Sequence, residues 1–258
     1  MSRRVESITY RVINHYTTIY DGVPGTSWEN DLFKMTLEGG IAEFVLKTDL
    51  SSAVEARMAV EGRLREWEIT AGLERFPEEL TFVQPTVRFG KIEVNHEGVY
   101  KGKVEMHLGL SVDAILAVKR ASYPTLPNKF ARNDLVDQMY SFYCEYKQHG
   151  SRLAALGEYC LTLLEDAVGP NVSNRRKLTG QRFGIDPAVL NKLGELCAKG
   201  SPEQARKAPK GKKWTPHSKA ETDWLEQTVK TIILRVGEIE YDPSVSASVI
   251  RMESLPML

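Results

Sequence analysis

The clearest periodic pattern of apolar and polar positions lies between residues 215 and 238. Thr215 and Pro216 open this stretch with residues favoured at the cap and in the first turn of a helix. Apolar residues then recur on one helical face, at Trp224, Leu225, Val229, Ile232, Ile233 and Val236. Because such a stripe must be buried against a partner, we expect the segments from about Arg132 onward to form a helical bundle around it.

Four earlier segments of the second half also favour helices. Residues 133–150 carry an aromatic-rich apolar stripe that includes Phe142 and Tyr143, which fits a packed core better than a stacking platform for bases. Residues 152–168 are apolar nearly all round, and residues 173–183 suit a short basic helix. A capping aspartate and a following proline, Asp186 and Pro187, open the fourth helix.

The first half mostly has the shorter period of β-strands. Strand patterns occur at residues 10–20, 41–46, 80–89 and 103–112. One long helix interrupts them at residues 51–74, where the apolar positions share one helical face and the other side is densely charged. This order predicts an α+β fold in which the helix covers one face of an antiparallel sheet.

A stiff connector with two prolines, at residues 123–127, separates the two halves. We therefore predict two domains. Residues 1–122 form a β-rich domain with the helix 51–74, and residues 128–258 form a helical bundle on which the apolar end of the chain docks.

Composition and charge narrow the class of protein. The 258 residues carry a formal net charge of +0, with 42% hydrophobic and 26% charged residues, which is ordinary for a globular protein. No segment suits a signal peptide or a membrane span, and the 3 cysteines, none in a CxxC pair, favour reduced thiols. The sequence therefore predicts a cytoplasmic protein without a membrane partner.

The motifs of the common catalytic classes are absent from the sequence. It contains no P-loop, no GxGxxG, no GxSxG and no HExxH. His15, His96 and His107 each stand apart from any catalytic arrangement of Asp, Cys or Ser. We assign no catalytic residue, no metal site and no cofactor, and we leave open an enzyme whose residues lie scattered along the chain.

The strongest local charge feature is a basic loop between residues 201 and 213. With two arginines of the short basic helix, its cations are candidate contacts for an anion or a nucleic acid: Arg175, Arg176, Arg206, Lys207, Lys210, Lys212 and Lys213. Lys and Arg bind nucleic acids by neutralising phosphates and releasing counterions. A solvated linker explains the same loop, and it is the interpretation that we favour.

Seven stretches of the chain form a distinctive fingerprint: residues 64–73, 123–130, 159–165, 184–196, 205–208, 221–238 and 254–258. In these stretches the chain resembles an uncharacterised family of bacterial proteins of similar length. Some members are labelled methylamine-utilisation proteins, so the resemblance implies a context of cofactor maturation. The fingerprint itself carries no assigned chemistry.

In the second half, paired long helices are followed by another helix, a basic turn and a final amphipathic helix. This order is similar to that of the HEPN group of helical bundles, and the resemblance implies an RNA-cleaving toxin or defence effector. Active members use an Arg followed closely by a His. Here His217 follows Arg206, and His96 follows Arg88, at too great a distance.

These observations lead to a primary hypothesis and an alternative. The first is a non-catalytic cytosolic binding or accessory protein, with a protein partner or self-association, because catalytic motifs are missing and the apolar helical faces are long. The alternative is an RNA-binding or RNA-cleaving effector that lacks the usual Arg and His pair, based on the basic loop and the HEPN-like order.

Overall fold

In the computed structural model, the residues described are 4–13, 18–89, 118–150, 152–169, 173–199 and 216–258. The chain divides into two compact units, Met1–Leu126 and Pro127–Leu258, and this division falls inside the two-proline connector. Three predicted features lie outside the described residues. They are the strand at 103–112, the basic loop at 201–213, and the histidines His15, His96 and His107.

Among the described residues of the first unit, five strands form an antiparallel sheet in the order β3-β4-β5-β1-β6, and a separate pair of strands, β2 and β7, is parallel. The strands are β1 (Val5–Ile13), β2 (Thr18–Ile19), β3 (Thr26–Glu29), β4 (Phe33–Glu38), β5 (Ile41–Leu46), β6 (Thr81–Phe89) and β7 (Val118–Lys119). With helix α1 (Ala53–Glu74) and the helical second unit, they confirm the predicted α+β class.

Side chains alternate across β4 and β5, which places their apolar residues on one face of the sheet. In β4, Phe33, Met35 and Leu37 are buried between exposed polar neighbours. Gly39 and Gly40 join the two strands, and their φ angles of 57° and 77° suit a two-residue hairpin turn. The buried faces of the strands form one apolar core with α1.

The sequence prediction differs from the structure at the first strands. The predicted strand 10–20 overlaps β1, which already begins at Val5, and β2 at Thr18–Ile19, while residues 14–17 lie outside the described part of the chain. Neither β3 nor β4 is predicted. β3 has only four residues, so its alternation is a weak signal, whereas β4 alternates apolar and polar residues over six positions and was missed.

Helix α1 lies within the predicted residues 51–74. Ser52 caps it by accepting a hydrogen bond from the Glu55 N–H at 3.1 Å. The predicted apolar face packs on the sheet, with Ala56, Val60, Leu64, Trp67 and Ala71 in the core. Ile69 and Leu73, on the other side of the helix, are buried as well, so the second half of α1 has no fully solvated face.

The described part of the second unit is a bundle of five helices: α2 (Asp134–His149), α3 (Leu153–Ala167), α4 (Arg175–Phe183), α5 (Pro187–Cys197) and α6 (Lys219–Tyr241). Helix α6 packs against each of the other four, and all six apolar residues of its predicted stripe are buried. None of the described helices combines the length and the apolar character needed to cross a membrane.

The first residues of α6 correct the predicted start of this helix. Ser218, rather than Thr215, is the N-cap. Its hydroxyl accepts from the Glu221 N–H at 3.2 Å, while the Glu221 carboxylate accepts from the Ser218 N–H at 2.8 Å. This reciprocal capping box satisfies two backbone donors at once, which a Thr-Pro start would not do.

Helix α2 buries a slightly different face from the one its aromatic residues predict. Tyr140 and Tyr143 are buried, whereas Phe142 is 38% exposed. The Phe142 ring stacks on Tyr159 of α3 with the ring centroids 3.8 Å apart. Two aromatic residues of neighbouring helices therefore cover each other at the surface of the bundle.

The end of the chain is attached to the bundle through Ile250. Its N–H donates to the Gly184 carbonyl at 2.8 Å, and its carbonyl accepts from the Asp186 N–H at 2.9 Å, between α4 and α5. We expected the last apolar residues to pack on the body. Leu255 does so, whereas Met257 is 92% exposed.

Candidate functional site around Glu79

The most deeply buried charged side chain among the described residues is Glu79, whose relative exposure is 0%. It lies in the turn between α1 and β6, where its N–H donates to the Phe76 carbonyl at 3.0 Å. The next residue, Leu80, is also buried. The turn thus directs a carboxylate into the protein interior, where an ion is stable only with close partners.

Both oxygens of the Glu79 carboxylate accept hydrogen bonds. Oε1 accepts from the Tyr20 hydroxyl at 2.7 Å and from Arg120 Nε at 2.9 Å. Oε2 accepts from the Thr18 hydroxyl at 3.1 Å and from Arg120 Nη2 at 3.3 Å. Arg75 adds a longer contact to Oε1 at 3.4 Å. Residues that lie far apart in the sequence therefore meet on one carboxylate.

These partners determine how the carboxylate ionises. Burial alone would raise the pKa of Glu79, but the hydrogen bonds from Arg120 and Tyr20 outweigh it and lower the pKa below its usual value. Burial and the neighbouring Glu79 in turn raise the pKa of Tyr20. At neutral pH Glu79 is a permanent anion that only accepts hydrogen bonds, and Tyr20 is a permanent donor.

The same cluster fixes the segment of residues 118–126, which we call the strap. Arg75 donates to the Ser122 carbonyl at 3.1 Å and to the Tyr20 hydroxyl at 2.9 Å. The Tyr123 ring stacks on Tyr20 with the centroids 4.7 Å apart. Farther along the strap, the Trp67 indole N–H donates to the Pro124 carbonyl at 3.1 Å. The strap is thereby attached to α1 and to β2.

Sequence reasoning did not identify Glu79. It stands next to Glu78 in a charged turn, and a single carboxylate in such a turn is normally solvated. Its partners Thr18, Tyr20 and Arg120 are separated from it by 41 to 61 positions. The only local signal is the apolar residue Leu80 that follows, which begins the buried strand.

A second carboxylate with several partners lies in the helical unit, between α2 and α6. Glu226 accepts from Lys147 Nζ at 3.0 Å and from the Tyr146 hydroxyl at 3.2 Å, and Lys230 Nζ lies 3.6 Å away. Burial opposes ionisation, but the two lysines lower the pKa of Glu226 below its usual value. This group, too, stays ionised at neutral pH.

Tyr143 lies beside this carboxylate and is fully buried. Burial and the nearby Glu226 raise its pKa. Lys230 lies over its ring, 5.9 Å from the centroid. The hydroxyl is therefore a neutral group at neutral pH and is enclosed by α2 and α6.

Two of the residues predicted to bind anions, Arg175 and Arg176, pair with groups of their own unit. Arg175 Nε donates to the Gly169 carbonyl at 3.1 Å, and Arg176 Nε donates to the Glu165 carboxylate at 2.9 Å. Arg182 donates to the Ala167 carbonyl. The three arginines of α4 thus satisfy carbonyls and carboxylates at the C-terminal end of α3, where the helix dipole favours cations.

The other predicted anion contacts are Arg206, Lys207, Lys210, Lys212 and Lys213, and they lie outside the described residues. Their role therefore stays a prediction. Within the described part of the chain, no group of His, Cys, Asp and Glu is arranged to hold a metal ion. His217 Nε2 lies 2.9 Å from the Leu196 carbonyl and helps to join α5 to the start of α6.

Comparison with protein-family models, with curated proteins and with solved structures finds no match to this chain.

Proposed function

We propose that this chain is a non-catalytic binding or accessory protein that acts through contacts with other protein molecules, including self-association. The observation that carries the proposal is the complete hydrogen bonding of Glu79. An acid or base catalyst needs a pKa near the working pH and access to the substrate. Glu79 is buried, permanently ionised and held by structural partners, which favours an architectural role.

Glu226 supports the same conclusion for the helical unit. Its pKa is lowered, and its oxygens accept from Tyr146 and Lys147. Glu79 in the first unit and Glu226 in the second thus each hold neighbouring helices or strands together. Neither has the properties of a group that exchanges protons with a substrate at neutral pH.

Two exposed apolar side chains on α1 support a binding role. Val54 is 66% exposed and Met58 is 72% exposed, and they stand one turn apart on the same side of the helix. Methionine is common at protein-binding surfaces because its flexible, polarisable side chain adapts to a partner. These two residues are therefore the first positions to test for a contact with another molecule.

The test combines the ratio of the absorbance at 260 nm to that at 280 nm with sedimentation velocity over a range of protein and salt concentrations. We expect a protein-like ratio at low and high salt, and species heavier than the 29.1 kDa monomer. Replacing Val54 and Met58 with serine should reduce these species. Val249→Ser, which changes an exposed apolar residue of the second unit, is the matched control.

The alternative, an RNA-binding effector, predicts a different result. Nucleic acid would co-purify at low salt and dissociate as the salt concentration rises. Substitution of the basic loop residues Arg206, Lys207, Lys210, Lys212 and Lys213 would then abolish it. That outcome would overturn our proposal in favour of RNA binding, and it would strengthen the HEPN-like resemblance.

A further inference from the structure

The N-terminal half of α1 exposes apolar side chains on the side that faces away from the sheet. Ala56 and Val60 belong to the core that α1 shares with the strands. Val54 and Met58, two positions before them, are 66% and 72% exposed. Positions two apart in a helix point in nearly opposite directions, whereas positions four apart share one side. Val54 and Met58 therefore form an apolar stripe on the outer side of α1.

Gly62 continues this stripe one turn after Met58. An added Cβ at position 62 would meet no described atom within 4 Å. Four glycines in the helices of the second unit differ, because an atom lies no more than 3.0 Å from the Cβ that each would gain: Gly157, Gly180, Gly194 and Gly237. A glycine inside a helix is unfavourable for folding, and one benefit that offsets this cost is the close approach of another group. Since no described residue makes that approach at Gly62, the position suits an external partner.

Two opposite charges run beside the stripe. Arg57 and Glu61 stand one position before Met58 and Gly62, and Arg57 Nη2 lies 2.8 Å from Glu61 Oε1. Their side chains stay 47% and 43% exposed. Each member of this ion pair can therefore bind a second charged group without giving up the first.

The stripe and its charges are complementary to a second copy of themselves. Across a twofold axis, residue i of one copy meets residue j of the other, and the reverse contact forms as well. In an antiparallel pair of α1 helices, Met58 of each copy can lie between Met58 and Gly62 of the other. The same arrangement places Arg57 of each copy opposite Glu61 of the other, which makes one network of four charges. The formal net charge of +0 adds no repulsion between the copies.

We propose that the outer side of α1 binds a second copy of this chain, with the two α1 helices antiparallel about a twofold axis near Met58. This inference rests on the proposed function and specifies its partner, surface and arrangement. Because each copy contributes a small apolar area, the dimer is reversible, with a dissociation constant on the order of micromolar.

Charge reversal in the flanking ion pair tests this arrangement, with sedimentation velocity of the full chain as the measurement. Arg57→Glu brings acidic groups of the two copies together, and Glu61→Arg brings basic groups together. Each variant alone should therefore dimerise at least roughly tenfold more weakly than the wild type. An equimolar mixture of the two variants should dimerise again, because each copy then supplies the charge that the other needs.

Two further variants separate this pairing from a general effect of charge. The double variant Arg57→Glu with Glu61→Arg only exchanges the two charges, so it should dimerise like the wild type. Lys192→Glu is the matched control, since it reverses a charge in the surface ion pair of Lys192 with Glu195 on α5. It should leave the dissociation constant unchanged.

Gly62→Leu tests the seat for Met58. Because the free chain has room at this position, the variant should fold like the wild type, as measured by circular dichroism and denaturant titration. Its longer side chain should prevent the close approach of the second copy and abolish the dimer. A Gly62→Leu variant that dimerises like the wild type would overturn the proposed contact.

The outcomes distinguish this inference from the proposed function. Dimerisation that is lost in both single charge variants and recovered in their mixture supports the antiparallel pairing. Loss without recovery in the mixture would overturn it. Heavier species that neither charge variant weakens would also overturn it, while self-association through another surface would stand. A wild type that stays monomeric at every concentration would overturn the pairing, and the proposed function would then depend on a different protein as partner.

Discussion

The aromatic ring of Phe130 lies directly on the backbone of Gly237 in α6. The Ala131 N–H, next in the chain, donates to the Gly237 carbonyl at 3.0 Å. A Cβ atom at position 237 would overlap the ring carbons of Phe130. The first residues of the second unit are thus seated on its central helix at a point where only glycine allows so close an approach.

Gly237→Ala should therefore destabilise the helical unit, although alanine is the better helix former. We expect a loss of about 1–3 kcal/mol in the free energy of unfolding, because the ring or the helix must shift. Denaturant titration measures it. The control is Gly62→Ala in α1, where an added Cβ meets no atom within 4 Å. That change should be neutral or stabilising by up to about 1 kcal/mol. Equal effects of the two substitutions would contradict the packing described.

A similar contact between Gly157 of α3 and Cys197 of α5 gives a prediction about coupling. A Cβ at position 157 would stand 2.7 Å from Cys197 Sγ. Gly157→Ala should destabilise the bundle, and adding Cys197→Ala should restore part of the loss because it removes the sulfur atom. The double-mutant cycle should give an interaction energy of roughly 0.5–3 kcal/mol. Additive losses would show that the two positions do not compete for the same space.

The stability of the protein should decrease in acid, partly through Glu79. The folded-state pKa of Glu79 is lowered, so its contribution to the free energy of unfolding is fully present above the unfolded-state pKa of about 4.3. It is lost as the pH falls through the lower folded-state pKa. Glu79→Gln should cost roughly 3–5 kcal/mol at pH 7, as expected when one partner of a buried ion pair is removed. Denaturant titrations at several pH values should show the difference in the free energy of unfolding between wild type and Glu79→Gln shrinking as the pH falls through that range. A difference that is independent of pH would contradict this account.

The capping box of α6 predicts a modest, local effect. Ser218→Ala removes the acceptor for the Glu221 N–H and should cost about 1 kcal/mol. Ser218→Asp should keep most of the stability, since aspartate is an equally good cap. Thermal unfolding of the two variants is the measurement. Loss of the cap lowers the Tm of Ser218→Ala alone, whereas a position that tolerates no substitution would lower the Tm of both variants.

The sequence predicted those elements whose burial follows from their own periodicity. Three examples are the stripe of α6, the cap and first proline of α5, and the apolar face of α1 that ends at Ala71. Each depends on side chains a few residues apart. Any sufficiently apolar surface can bury such a face, so the pattern alone identifies these helices. Short strands such as β3 and the true start of α6 were missed, because few positions carry the signal there.

The candidate site at Glu79 could not be predicted in the same way. Nothing near Glu79 in the sequence distinguishes it from Glu78, and what makes it special is its contact with Tyr20 and Arg120. Arg176 shows the same limit. Its sequence context suggested an anion contact, which stays a prediction, and only the fold shows that its guanidinium donates to Glu165.

The sequence by itself determined the class of the protein: an antiparallel sheet with one long helix, followed by a helical bundle organised around α6. It could do so because helical and strand periods are local properties of the chain. Only the tertiary structure decided which charges are buried, which arginines are paired, and that residues 118–126 contact Glu79, Arg75 and Trp67. Those outcomes depend on contacts between residues that are far apart in the chain. Such contacts form only when the chain folds, so no local pattern in the sequence reveals them.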